Sequence, residues 1–342
     1  MIGPMGTTAL GWHLHGEKRR AQTLATLESS PFDRVRMAAF ATRCSLDALE
    51  ERVAELAAIG VDAELVLLHP GDGVSDVEAA VRYLREVVPR LAAHQSVWWS
   101  LAADPTRFPE ISEHDWVCLA ALVAEEDPGH HPLSISVDAD SPLLWRAGFT
   151  HGSVTARSPR DAWVRTRDHH RPVLMDMCGH EGDADDPWRS LTAEEVVTQA
   201  WDGAVRRRYV THGESYVDEA GLTWSTDGGT LTGAAVPRLG LLREVLAETP
   251  QEARHRDRDA PMLEVPGEFY LEFCGDHRFP ERSYDVPGGR YEVEVIDTWE
   301  MTVTALGVRE IGVPRADRPE GGTLTVPLPG TCGQAIRLRR RP

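Results

Sequence analysis

Residues 171–237 leave this chain few folds to choose from. Two short apolar runs, 172–177 and 209–211, each stop abruptly in polar, glycine-containing sequence. One amphipathic helix is expected between them, over 192–208. The order is strand, helix, strand: a β-α-β unit. Its strand ends carry Asp176, His180, Glu181, His212 and Glu214. Carboxylates and imidazoles at the C-terminal ends of strands are where an α/β barrel keeps its chemistry.

The preceding chain repeats the pattern. Strand-like runs fall at 6–12, 34–40, 64–69, 96–102, 133–137 and 149–155, with helical spacing at 17–29, 45–60, 77–93, 113–125 and 161–169. Ser45 offers an N-cap, Gly60 a stop, and Leu46, Leu49, Val53, Leu56 and Ala57 keep one apolar face between them. A last helix is expected at 238–248. Eight strands in about 250 residues point to a (β/α)8 TIM barrel over 1–250. The rival, a doubly wound open sheet, usually carries a glycine-rich phosphate loop after its first strand, and GxGxxG is absent.

Composition changes after Pro250. Residues 251–260 (QEARHRDRDA) are charged and are expected to form a linker. From 261 to 342 the chain is rich in strands and turns, with alternation at Tyr291, Val293 and Val295 and again at Thr323 and Thr325. Half-buried antiparallel strands follow, hence a small antiparallel β-sandwich domain.

Charge narrows the partners. Lys and Arg number 36 against 54 Asp and Glu, for a net charge of −18. Nucleic acid and anionic membrane both require basic patches, so neither is an expected partner. The five cysteines are scattered without a CxxC, which suggests neither a disulfide framework nor a thiolate zinc site. No secretion signal or membrane-spanning run is evident, so a cytoplasmic protein is expected, its oligomeric state open to homo-oligomers.

The strand ends mix carboxylates, histidines and tryptophans, the residue types a sugar site requires. Aromatic faces stack on pyranose rings, while carboxylates bind hydroxyls and perform acid/base work. Candidate ligand-binding residues are Trp12, Arg36, His69, Trp99, His151, His180, His212, Tyr216 and Trp224; candidate catalytic carboxylates are Asp104, Asp176, Glu181 and Glu214. A buried tryptophan is more often core than platform, and a lone strand-end histidine is more often structural. His151, Asp176, His180 and His212 could converge on a metal, but no HExxH-like spacing supports one, so neither metal nor cofactor is expected. Cys178 is a weaker nucleophile candidate beside His180.

The motifs GTT (6–8), SPFDRVRM (30–37), LLHP (67–70), VWWSLA (97–102), PVLMDMCGHEG (172–182), YVTHGESY (209–216) and the run from Trp224 to Arg238 occur in that order. Together they resemble a group of bacterial glycoside hydrolases with an apiosidase-like (β/α)8 barrel, part of the large retaining-glycosidase clan. PGEFYLEFCG and YEVEVIDTWEMTVT resemble the small β-domain that follows that barrel. Members of the group usually carry a further N-terminal β-domain, which is expected to be missing here. The resemblance implies an acid/base glutamate at the end of strand 4 and a nucleophilic glutamate at the end of strand 7. Relatives read WWSLANEYD and PVVIDECGYEG there, whereas this chain has Ala103 and Asp104 at the first site and Met177 and His180 in the second. A thioether neither attacks an anomeric carbon usefully nor stabilises an oxocarbenium ion by charge.

Three readings follow. The first is a divergent hydrolase of glycosides, with Asp104 as acid and Glu214, Glu181 or Asp176 as base or nucleophile; Glu214→Gln is then expected to abolish turnover without changing the melting temperature. The second is an enzyme of another reaction, such as biosynthetic tailoring, on a repurposed barrel. The third is a non-catalytic carbohydrate-binding protein. All three take a small carbohydrate or glycoside as the natural ligand class.

Overall fold

Eight parallel strands form in chain order: β1 (Gly6–Thr8), β2 (Arg34–Ala38), β3 (Asp62–Leu68), β4 (Val97–Ala102), β5 (Leu133–Ser134, resumed as Ser136–Asp138), β6 (Gly152–Thr155), β7 (Val173–Met177) and β8 (Arg208–Val210). The computed structural model describes residues 5–74, 76–183, 189–312 and 321–342. Neighbours pair in register, Gly6 with Arg34, Arg34 with Asp62, Ala63 with Val97, Trp99 with Leu133, Ser136 with Ser153, and Val173 with both Gly152 and Arg208. The ring closes just past β8. There the Thr8 amide donates to the His212 carbonyl at 2.9 Å, and the His212 amide to that of Gly6 at 2.8 Å. This is the (β/α)8 barrel that the strand count predicts.

Helices follow the strands, α1 (Glu17–Glu28), α3 (Val77–Leu91) and α5 (Pro159–Thr166) among them, and they start and stop for local reasons. In α2 (Leu46–Ala58) the Ser45 hydroxyl accepts the Ala48 amide, and Leu49, Val53 and Leu56 form one buried face. Gly60 then adopts φ +74°, a conformation that costs glycine little. α4 (Glu113–Glu126) opens with a capping box between Ser112 and Asp115. Thr192 and Glu195 exchange the same two bonds at the start of α6 (Ala193–Val205). Only a 3-10 turn, Pro142–Trp145, joins β5 to β6. Among the described residues no helix is long and apolar enough to cross a membrane.

Strand alternation sorts the side chains into two shells. Val35, Met37, Leu65, Leu67, Leu101, Val154 and Met175 join the apolar layer shared with the helices. Their neighbours on the same strands point inward, because they touch across the barrel: Arg36 of β2 reaches Ser136 of β5 at 2.7 Å and Asp176 of β7 at 3.0 Å. Barrels of this type usually fill their interior with branched apolar residues. Here the interior is charged.

By contacts the chain divides into two units, one running through Val196 and resuming over Arg208–Val236, the other comprising Val197–Arg207 and Pro237–Pro342. The second unit contains a six-stranded antiparallel sheet (Arg254–Arg256, Met262–Val265, Phe269–Phe273, Gln334–Arg341, Gly289–Asp297 and Thr302–Ile311, in spatial order) and a two-stranded one (Glu281–Val286 with Gly322–Pro327). Tyr270, Tyr291, Val293 and Leu338 of the large sheet share a core with Tyr284, Val286, Leu324 and Val326 of the small one. The stretch expected as a linker therefore contributes a strand. Arg254–Arg256 pairs with Met262–Val265, Arg254 opposite Glu264. Its charge belongs to an edge strand, where charged side chains discourage pairing with other chains.

Candidate functional site

Inside the barrel, four charged side chains close on one another. Arg34 and Arg36 come from β2, Glu64 from β3 and Asp176 from β7, and all are almost fully buried. Glu64 pairs with both guanidiniums, with Arg36 at 2.6 Å. Asp176 accepts from Arg36 Nη1 at 3.0 Å, Arg34 Nη2 at 3.3 Å, the Ser153 hydroxyl at 2.6 Å and the Thr211 hydroxyl at 2.5 Å. Burial alone would raise the Asp176 pKa; Arg36, Arg34 and the two hydroxyls outweigh it and hold the carboxyl well below its usual range. Two cations thus meet two anions, with hydroxyls on the remaining lone pairs. An acid ionised so firmly has no proton to give and little basicity to offer.

Above this quartet, at the C-terminal ends of the strands, lies a cavity of about 390 Å³. That is near the lower end of small-molecule pockets, which run from about 300 to 1,000 Å³. Arg36 and Asp176 line it, together with Asp104, Arg107, His69, His180 and Arg189. Asp104 stands at the end of β4, where its Oδ1 accepts from the Thr106 amide at 3.1 Å and the Thr106 hydroxyl at 2.6 Å. His69 Nδ1 lies 3.1 Å from the Pro70 carbonyl, which can only accept, so this nitrogen carries the proton. Burial lowers the His69 pKa, and it pushes that of His180 down to about 4 with help from Arg189. Both shifts favour the neutral ring.

Glu181, His212 and Glu214 lie close together but do not line the cavity. Glu214 Oε1 accepts from the Thr232 amide (2.9 Å) and hydroxyl (2.8 Å), and Oε2 from the Gly233 amide (2.9 Å). Glu181 accepts from the Ala235 amide at 3.2 Å, at the start of α8 (Ala235–Ala247; α7 is the short turn Trp224–Asp227), where the helix dipole favours an anion. A Cβ on Gly233 would collide with the Glu181 carboxylate, and one on Gly213 with the His180 ring, so this close packing requires glycine at both places. His212 is stacked on Phe32, and burial together with His180 lowers its pKa to about 3.

Of the thirteen residues singled out in the sequence, five line the cavity: Arg36, His69, Asp104, Asp176 and His180. Trp99 and His151 are placed elsewhere: Trp99 shares the outward face of β4 with Val97 and Leu101, and His151 precedes its strand. The Trp99 indole donates to Asp127 at 3.0 Å, while His151, immediately before β6, bonds Thr150 and packs on Trp98. Trp12 and Trp224 are core, the Trp224 indole donating to Thr7 at 2.9 Å. Tyr216 is exposed and outside the cavity lining. No Trp, Tyr or Phe lines the cavity among the described residues, so the expected stacking platform is replaced by two imidazoles. Cys178 is buried and its thiol is pushed up to about 12, first by burial and then by Asp176. The Met177 side chain lies outside the described residues. Arg107, Arg189 and the Arg34–Glu64 pair escaped the sequence reading; charged residues inside the apolar runs 34–40 and 64–69 were the available signal.

Residues 258–339 match the family described as Domain of unknown function (DUF5605). No curated protein matches the sequence. Among solved structures, a Bacteroides vulgatus protein assigned to the glycoside hydrolases aligns with 99% of this chain and 78% of its own, at 24% identity and a TM-score of 0.86. A glycoside hydrolase family 5 protein from the same species aligns over 98% and 88%, at 11% identity and 0.76. A GH113 β-1,4-mannanase aligns over 71% and 99%, at 12% identity and 0.53. Likeness at these identities establishes the fold, a TIM barrel followed by a β-domain.

Proposed function

We propose that the chain binds a small carbohydrate or glycoside in the cavity at the top of a glycoside-hydrolase-type barrel, without the carboxylate pair that double displacement needs. One observation carries this reading: of the four candidate catalytic carboxylates only Asp104 and Asp176 line the cavity, and Asp176 is saturated by two guanidiniums and two hydroxyls. Retention calls for two carboxyl groups about 5–5.5 Å apart, and inversion for about 6.5–9.5 Å, each pair flanking the scissile bond. Glu181 and Glu214 are turned instead to backbone amides. The residue at the nucleophile position, Met177, has no chemistry to substitute for them.

The polar lining suits hydroxyl recognition. Arg107 offers N–H donors, while Asp104 and the unprotonated Nε2 of His69 offer acceptors. Titrating the protein with monosaccharides and aryl glycosides, while monitoring thermal stability and released product, tests the proposal. Saturable stabilisation without product is expected, worth about 2.7 kcal/mol at a hundredfold excess over Kd. A second reading, hydrolysis with Asp104 as general acid, is favoured by the place of Asp104 at the β4 end on the cavity wall. Product formed by the native chain and lost in Asp104→Asn would replace the binding reading with that one. Asparagine caps the Pro105–Arg107 turn about as well as aspartate, so folding should survive the change.

A further inference from the structure

The side chains of Glu181, His212 and Glu214 each place one potential ligand atom within 4.8 Å of the other two, and all three residues are buried. We propose that they bind one divalent transition-metal ion, of the zinc or manganese class, in a structural site beneath the rim of the barrel. The proposal is independent of the carbohydrate reading, because none of the three lines the cavity.

The observation that points to a ligand is His212 Nε2. The residue is only 3% exposed, and this nitrogen has no hydrogen-bond partner among the described residues. The nearest carboxylate oxygen, Glu181 Oε2, is 4.0 Å away, too far for a hydrogen bond. Leaving such a group unsatisfied costs about 1–3 kcal/mol, so an orphan aimed at two carboxylates calls for an occupant. Spacing agrees. The centre of a triangle with sides of 4.0–4.8 Å lies about 2.3–2.8 Å from its corners, so moves of a few tenths of an ångström give zinc its usual distances of about 2.0–2.2 Å.

The surroundings also suit a ligand histidine. His212 Nδ1 is 3.0 Å from Thr7 Oγ1, which also accepts the Trp224 indole N–H at 2.9 Å. A hydroxyl oxygen has two lone pairs, so Thr7 can accept from both rings, leaving the Nε2 lone pair for an ion. An outer hydrogen bond of this kind typically fixes the tautomer of a ligating imidazole. Two carboxylates and a neutral imidazole balance a charge of +2. One nitrogen with oxygens suits zinc or manganese better than calcium or magnesium, which prefer oxygen alone. Glu214 holds Thr232 and Gly233, and Glu181 holds Ala235, so the ion would clasp the segment entering α8 to the end of β8.

The test uses the full chain after dialysis against a chelator, titrated separately with zinc chloride and manganese chloride by calorimetry and thermal melting. One ion per chain should bind and raise the melting temperature, and Thr7→Val should weaken binding 10- to 100-fold, as loss of an outer partner does. His212→Gln should abolish it. No saturable binding of either ion, or equal affinity in Thr7→Val and His212→Gln, overturns the proposal. If His212→Gln does not fold, X-ray absorption of the zinc-loaded native chain decides: one imidazole with oxygens supports the site, whereas sulfur or oxygen-only ligation contradicts it.

Discussion

Two groups of buried carboxylates, one in the barrel interior and one past the ends of β7 and β8, are held in opposite ways. Glu64 and Asp176 meet the guanidiniums of Arg34 and Arg36, so that region neutralises its own charge with side chains. Glu181 and Glu214 meet backbone amides, with the imidazole of His212 close by. Amides orient a carboxylate and stabilise its charge, but they do not cancel it. The closed quartet reads as framework, and the strand-end cluster as a place for a cation.

The largest test of this contrast is Glu64→Gln. It leaves two buried guanidiniums with one anion, and removing one partner of a buried ion pair costs about 3–5 kcal/mol. Urea unfolding should register that loss; a change below about 1 kcal/mol would mean the quartet is not closed in solution.

Next in size is the pH dependence set by His151, beside the quartet. Burial, then the nearby arginines working against Asp176, brings its pKa down to about 4 from 6.5. Because the folded value is the lower one, the unfolded chain binds more protons between these limits. Stability from this residue is therefore complete above about pH 6.5 and is lost as pH falls towards 4, by up to about 3 kcal/mol. His151→Gln should reduce the slope of the stability profile over that window, leaving the part that the likewise depressed His13, His180 and His212 contribute. An unchanged slope would place the acid sensitivity elsewhere.

The smallest effect separates structure from catalysis at the strand-end cluster. Glu214→Gln replaces one acceptor oxygen by an amide that faces another N–H, at a cost of about 1–3 kcal/mol. Its melting temperature should fall while sugar binding persists. The sequence alone suggested the reverse, an unchanged melting temperature and lost turnover, and that outcome would return Glu214 to the reacting centre.

These differences mark what was legible in the sequence. Period-2 and helical spacing revealed the barrel, since burial of one face leaves its imprint on every element. Ser45 and Gly60 announced the limits of α2 for the same local reason. Direction of side chains was harder to read. Trp99 looked like a platform and is core, because strand alternation puts it on the helix-facing side of β4 with Val97 and Leu101. Glu214 looked catalytic because it follows β8, yet its partners Thr232 and Gly233 lie 18 and 19 residues further along, beyond any local pattern. Arg34 and Glu64 were hidden inside strands that read as apolar, their pairing visible only once the ring had closed.

A crystal structure of the chain with a bound glycoside tests the central claim most directly. The account predicts a sugar ring in the cavity, in contact with Asp104, His69 and Arg36, with Glu181 and Glu214 still bonded to the amides of Ala235, Thr232 and Gly233. A ring seated elsewhere, or either glutamate turned to within bonding distance of the anomeric carbon, would contradict it.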